Sequence, residues 1–345
     1  YLYKFDAARV CDGMGLKLQI SAFGALLGSL FLSFTFVASL HIWKFAGYKD
    51  TNRDDPGTIK RRFVSAILSC LCSALLVRLL AREAPESEHG LSFSELLGVR
   101  CDLLGKACVN CFALTALLFL GPLVQHLLVV LKGYDKLFLA NGLGFWVITR
   151  NLVLAPITEE FVFRGCLVRL WVSAGLPLMA TIFCSPFCFA LAHAHHFVEH
   201  VRRTRSKKQA LAQVLFQVFY TSLFGMYSNF LLIRTGSLLA VILAHAFCNH
   251  QGFPDVGFFV SSSEPLYEHR KLMGAIYLLG IVGFACSAGP MQRGRGARTG
   301  TRGYGTSIFL TGGLRQMSKS QNQLVFCGSK TRGLNFPRPL ENTRF

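Results

Sequence analysis

The stretch Leu18–Trp43, LQISAFGALLGSLFLSFTFVASLHIW, contains no Asp, Glu, Lys or Arg. It exceeds the about 20 mostly apolar residues that a helix needs to cross a bilayer. Similar runs recur along the 345-residue chain, which is 52% hydrophobic and 16% charged and has a mean hydropathy of +0.42. Soluble domains carry about 25% charged residues. The composition therefore excludes a disordered chain, a collagen and a soluble multidomain enzyme.

The apolar runs predict an all-α, polytopic integral membrane protein with about eight transmembrane helices. The fourth run is interrupted by charges and by Pro156. We expect Thr158 to cap a helix that begins after this proline. The predicted helices are Leu18–Trp43, Phe63–Leu80, Ala107–Leu131, Phe145–Phe163, Leu176–Phe197, Gln209–Ile233, Ser237–Asn249 and Leu272–Pro290.

Charge divides the chain into three predicted parts. Residues 1–17 form an N-terminal segment with an incomplete start, and residues 18–290 form the transmembrane domain. Residues 291–345 form a basic Gly/Arg/Ser-rich tail, whose composition is typical of disorder. The tail holds half of the net charge of +18. The other bases lie mainly in loops between apolar runs, which disfavours nucleic-acid binding and indicates that the basic loops Lys44–Arg62 and Arg202–Lys208 face the cytosol.

Two adjacent acids lie within residues 155–164, APITEEFVFR, inside an apolar run. Ionised groups at membrane depth are costly and are retained where they are paired or functional. Arg164 follows Glu160 by four residues, so these two side chains can pair on one helical face. Glu159 points about 100° away and lacks that partner. We therefore interpret Glu159 as a general base, with a buried ion pair that only fixes helix register as the simpler alternative.

Two further apolar runs carry polar side chains. One holds His193, His195 and His196, and the other holds His245 and Asn249 at positions i and i+4. Polar groups in membrane helices face the bundle interior, so we expect the runs to enclose an intramembrane catalytic cavity. His193 would serve there as a second water ligand or proton relay. His245 and Asn249 would supply the hydrogen-bond donors of an oxyanion hole.

Other interpretations stay open. His196 and His200 have a spacing that zinc ligands use, but the chain has no H-E-x-x-H motif. Cys108 and Cys111 have no second cysteine pair, which favours small packing residues over a metal or redox site. A proton-coupled transporter or a scaffold would also use buried Glu and His side chains. A transporter would be marked by an inverted repeat or by charges distributed over many helices. The sequence shows neither feature.

The ordered motifs E-E-x-x-x-R at 159–164, F-x-x-x-H at 189–193 and H-x-x-x-N at 245–249 resemble those of the type II CAAX prenyl protease family. The flanking stretches RNLVLAPITEEFVFRG at 150–165 and AHAHH at 192–196 strengthen the resemblance, as do IRTG at 233–236 and IKRRF at 59–63. The similarity extends from about residue 18 to about residue 290.

This resemblance implies a metal-independent, glutamate-dependent endopeptidase of the endoplasmic-reticulum membrane that uses no cofactor. Its substrates would be farnesylated or geranylgeranylated CAAX proteins, including Ras-type GTPases, and it would remove their last three residues. Glu159 and His193 would activate the water, and His245 and Asn249 would hold the oxyanion. Glu160 and Arg164 would support the first glutamate.

Overall fold

The structure is a computed structural model that describes residues 16–48, 52–83, 91–100, 104–133, 144–192, 201 and 206–289. The chain divides into a unit of Tyr1–Gly294 and a unit of Arg295–Phe345, and every described residue belongs to the first. The predicted tail at 291–345 therefore lies outside the described residues. The boundaries at 17 and 290 stay predictions.

The all-α class is confirmed for the described residues. One small ribbon accompanies the helices, in which β1 (Leu16–Leu18) pairs antiparallel with β2 (Ala81–Glu83). Single 3₁₀ turns occupy Gly257–Phe259 and Tyr267–His269. The helices are α1 (Ala22–Phe45), α2 (Pro56–Leu80), α3 (Phe93–Leu96), α4 (Leu104–Leu118), α5 (Leu120–Leu131), α6 (residues 145–173), α7 (Leu178–Cys184), α8 (Pro186–Ala192), α9 (Lys207–Thr235), α10 (Leu238–Gln251) and α11 (Arg270–Ala288).

Four helices in the described ranges are long and apolar enough to cross a membrane: α1, α2, α9 and the segment Tyr267–Ala288 that contains α11. A fifth span results if α4 and α5, which are bent by 70° at their junction, cross together. The predicted count of about eight is therefore not confirmed. The 14 residues of α10 extend only about 21 Å, which is less than the roughly 30 Å of a hydrocarbon core.

Helix α6 continues through the proline instead of restarting after it. The expected Thr158 cap is wrong, because the Thr158 hydroxyl donates to the Leu154 carbonyl at 2.8 Å inside the helix. The helix accommodates Pro156 by widening before it, and it widens again further on. Its successive segments are Phe145–Thr149 (α), Arg150–Leu154 (π), Ala155–Glu160 (α), Phe161–Leu167 (π) and Val168–Ser173 (α).

Local signals fix the ends of the helices around the site. Asp55 precedes α2 and accepts the Thr58 N–H at 2.7 Å, and this hydrogen bond lowers the pKa of the Asp55 carboxyl. Between α9 and α10, Gly236 adopts φ 65°, a left-handed conformation that glycine adopts without strain. Ser237 then accepts the Ala240 N–H at 3.3 Å and starts α10. The predicted break between these two helices is thus confirmed.

The main core joins α1, α2 and α6. The Trp171 indole N–H of α6 donates to the Ser29 hydroxyl of α1 at 2.9 Å. Leu170 contacts α1 opposite Gly28, where a Cβ would lie 2.9 Å from its side chain. Large apolar side chains face outward, including Phe34 at 74% exposure. Such an apolar exterior fits a lipid environment.

Candidate active site

A cavity of about 810 Å³ lies among α1, α2, α6, α8, α9 and α10. Its walls combine apolar side chains, among them phenylalanines from several helices, with about as many polar ones. Three of the four predicted catalytic residues line it, namely Glu159, His245 and Asn249. The fourth, His193, lies outside the described residues. A cavity is therefore present between α6 and α10, and its position within the membrane stays a prediction.

Glu159 enters the cavity from α6 and is half-buried. Within the described part of the chain it makes no hydrogen bond or ion pair, as expected from its position one residue before the paired Glu160. The neighbouring Thr158 side chain is turned back onto its own helix. A carboxylate at the wall of a cavity is accessible to a water molecule, which is the geometric requirement for a general base.

Glu160 is fully buried and bridges two helices. Its Oε2 lies 3.1 Å from Nε of Arg164, which confirms the predicted i, i+4 pair. These two atoms are not aligned as a hydrogen bond, so their attraction is mainly coulombic. The other carboxylate oxygen, Oε1, lies 2.6 Å from Nδ1 of His245 on α10. Glu160 therefore links the arginine to the histidine.

Two phenylalanines enclose this cluster. The Arg164 guanidinium lies 5.2 Å from the Phe189 ring and 5.7 Å from the Phe224 ring, within the range of cation–π attraction. The Phe224 ring also packs at 4.5 Å against His245. Neither the position of Phe224 nor the Glu160–His245 contact was predicted from the sequence. No local spacing could reveal them, since the contacts join residues of different helices.

Asn249 is exposed to the cavity and donates from Nδ2 to the main-chain carbonyl of Asn151 at 2.9 Å. That carbonyl is available because of the π-helical turn. The Ala155 N–H, which an α-helix would direct to Asn151, bonds the Arg150 carbonyl instead. The next residue, Pro156, has no N–H. One N–H of the Asn249 amide thus fixes the orientation of the side chain, and the second N–H remains as a possible donor to a ligand in the cavity.

No group of three or more potential metal ligands occurs among the described residues. His196 and His200, the pair considered for zinc, lie outside that part of the chain, so the metal alternative is untested there. Cys111 is buried and Cys108 is half-buried within the helix packing.

The described helices and this cavity define a polytopic membrane protein in which a carboxylate, an imidazole and an amide line one cavity. A family model for "Type II CAAX prenyl endopeptidase Rce1-like" matches residues 141–250, a range that includes α6, the three cavity residues and the predicted motifs. This match and curated relatives that are up to 36% identical over most of the chain show that it belongs to the type II CAAX prenyl endopeptidase family.

Curated relatives extend the match beyond that range. CAAX prenyl protease 2 of Homo sapiens is 36% identical over 285 residues, which cover 78% of this chain and 80% of the relative. CAAX prenyl protease 2 of Arabidopsis thaliana is 33% identical over 258 residues, with coverages of 68% and 78%. The Caenorhabditis elegans protein of the same name is 33% identical over 267 residues, with coverages of 76% and 94%. No solved structure matches the chain significantly.

Proposed function

We propose that this chain is an endopeptidase of the endoplasmic-reticulum membrane that removes the C-terminal tripeptide from prenylated CAAX proteins. Farnesylated and geranylgeranylated proteins, Ras-type GTPases among them, would be its substrates. The observation that carries the proposal is that Glu159, His245 and Asn249 line the same cavity. Membership of a family whose relatives are named CAAX prenyl protease 2 supports the substrate class.

In the proposed reaction, water attacks the carbonyl carbon of the prenylated cysteine. Glu159, assisted by His193, takes a proton from that water as the C–O bond forms. The tetrahedral intermediate then collapses, the C–N bond to the next residue breaks, and the departing amine receives the proton from Glu159. The products are a prenylcysteine carboxylate and a free tripeptide. No covalent enzyme intermediate is required.

His245 and Asn249 would hold the oxyanion of this intermediate. The Nδ1 atom of His245 is engaged by Glu160, so only Nε2 can face the substrate. When Glu160 is ionised, donation from Nε2 requires an imidazolium, because Nδ1 also carries a proton. The Arg164–Glu160 pair thus acts on the oxyanion side of the site: it orients the His245 ring, and the Glu160 carboxylate balances the positive charge of the imidazolium. We propose this role in place of the direct support of Glu159 that the resemblance implied.

The walls of the cavity suit a lipidated substrate. Phe36 and Val37 of α1, Phe63 of α2 and Phe163 of α6 all line it. Each buried CH₂ of a lipid chain contributes about 0.8 kcal/mol of membrane affinity. A prenylated C-terminus therefore partitions to the bilayer before it meets the enzyme, and an aromatic wall inside the membrane can receive the isoprenoid without exposing it to water.

The test is cleavage of a farnesylated CAAX peptide and of its unprenylated twin by purified protein. We expect the farnesylated peptide to lose three residues. Glu159→Gln should lower this rate by roughly 10²–10⁴, the usual contribution of a general base. Glu268→Gln is the matched control, since this exposed acid lies outside the cavity. Near-normal turnover by Glu159→Gln would refute the assigned role, and no cleavage by the unaltered protein would refute the function.

A further inference from the structure

The charged side chains that line the cavity are strongly unequal in sign. Arg53, Arg62 and Arg150 contribute three positive charges among the described lining residues, against the single acid Glu159. Arg62 lies on the same face of α2 as Ile59, three residues earlier, which also lines the cavity. Because a cleft lined mainly by one sign of charge concentrates the electric field, this cavity favours an anionic group.

Arg150 is held in place by its neighbours. Its Nε donates to Oδ1 of Asn151 at 2.9 Å, and its Nη1 donates to the Arg53 carbonyl and to Oδ1 of Asp54, each at 2.8 Å. The Arg150 side chain is 19% exposed, whereas that of Asp54 is 52% exposed. These bonds fix the guanidinium plane and leave Nη2 without a partner in the described part of the chain. A fixed guanidinium loses little entropy when it binds a carboxylate.

The distance along α6 relates Arg150 to Glu159, the proposed general base. Arg150 precedes Glu159 by nine residues on the same continuous helix. At about 1.5 Å per residue, their Cα atoms are roughly 13 Å apart along the axis. Three extended peptide residues cover roughly 10–11 Å. A substrate whose scissile carbonyl lies beside Glu159 can therefore bring its C-terminal carboxylate within reach of the Arg150 side chain.

We propose that Arg62 and Arg150 form a subsite for the terminal α-carboxylate of the substrate, and that this subsite sets the cleavage point three residues from the C-terminus. The inference rests on the proposed endopeptidase function and adds a recognition element to it. It gives a role to the arginines in the cavity wall. A peptide lacking the carboxylate, or carrying one additional residue, would lose this anchor or displace its scissile bond.

The experiment compares three farnesylated peptides that share one sequence. The first ends in the free acid, the second ends in a carboxamide, and the third is a free acid extended by one residue. We expect the unaltered protein to prefer the free acid over the amide by roughly 10–10²-fold in kcat/KM, the range expected for a charge-assisted hydrogen bond. The extended acid should be cleaved slowly or after a different residue.

Variants connect this preference to particular side chains. Arg62→Gln and Arg150→Gln should each lose most of the free-acid advantage, mainly through KM, and should change amide cleavage little. Their effects should therefore not add to that of the amide. Arg62→Lys should restore part of the preference. Arg61→Gln is the control, because Arg61 lies beside Arg62 but contacts Tyr48 and Thr58 outside the cavity wall.

The outcomes separate the subsite from the function. Equal cleavage of acid and amide by the unaltered protein overturns the subsite and leaves the endopeptidase function intact. Equal losses on both peptides in the Arg62 and Arg150 variants also overturn it, since they indicate a structural or lipid-headgroup role. If no peptide is cleaved at all, the proposed function fails and the subsite fails with it. Thermal unfolding of each variant distinguishes misfolding from lost recognition.

Discussion

The buried Arg164–Glu160 pair provides a quantitative test of the site architecture. Glu160 has no exposed surface and Arg164 is 2% exposed. Replacing Arg164 with Met removes the positive charge but keeps a long apolar side chain between Phe189 and Phe224. The Glu160 carboxylate would then have His245 as its remaining partner in the described site. Removing one member of a buried pair typically costs about 3–5 kcal/mol.

We expect the Arg164→Met variant to unfold at a lower temperature than the unaltered protein. In domains of 150–250 residues, each kcal/mol of lost stability lowers the unfolding temperature by roughly 2–4 °C. The expected shift is therefore roughly 6–20 °C, measured by thermal unfolding of the detergent-solubilised protein. The double variant Glu160→Gln/Arg164→Met removes both charges and should recover much of this loss. Its turnover should stay low, because His245 no longer faces a carboxylate.

The control is Arg169→Met on the same helix. Arg169 donates to the Leu96 carbonyl at 2.6 Å. Its loss therefore removes the partner of a neutral carbonyl, whereas the loss of Arg164 removes the partner of a buried carboxylate. We expect a smaller shift in the unfolding temperature. A normal unfolding temperature for Arg164→Met would refute the argument. So would a double variant whose drop in unfolding temperature equals or exceeds the summed drops of the single variants Glu160→Gln and Arg164→Met. The two charges would then not stabilise each other.

Three further predictions concern the oxyanion side of the cavity and the water-activating residues. Substituting His245 or Asn249 with Ala should lower kcat by roughly 10²–10³ with little change in KM; normal kcat per folded molecule, with only the unfolding temperature reduced, would make these residues structural. Pro156→Ala supplies the N–H that α6 lacks and should weaken the hold on Asn249, so we expect lower kcat without loss of stability; unchanged kinetics would show that the π-helical turn does not position the amide. Chelators should leave cleavage intact; a stoichiometric zinc, with activity lost on chelation and restored by zinc, would contradict the glutamate-dependent mechanism.

The long helices were predictable because a single physical constraint determines them. Backbone polar groups must be satisfied internally in lipid, so a long apolar run becomes a helix whatever its neighbours are. The run Leu18–Trp43 accordingly corresponds to α1 at Ala22–Phe45. The break at Gly236 was equally clear, since a glycine ends α9 and a serine starts α10. Hydrophobicity alone does not distinguish short helices inside the bundle from helices that span the bilayer, so the predicted count of about eight stays unconfirmed.

The candidate site was predictable only where it depends on local spacing. The Glu160–Arg164 pair follows from an i, i+4 relation on one helix and is present. The Glu160–His245 contact joins residues 85 positions apart. Its formation depends on how α6 and α10 are rotated about their axes, which is set by packing of the whole bundle. The sequence showed that these groups must face inward, but not which of them would touch.

Pro156 shows why the failed local prediction lies at the site itself. The sequence predicted that Thr158 caps a helix beginning after this proline. The structure keeps the helix continuous and leaves the Asn151 carbonyl without a main-chain donor. Asn249 of α10 satisfies that carbonyl and is thereby held at the cavity wall. Departures from local rules concentrate at functional sites because surrounding contacts compensate for them. Here the compensating contact comes from the residue that we propose to bind the oxyanion, so the proline that disturbs α6 also positions the amide on α10.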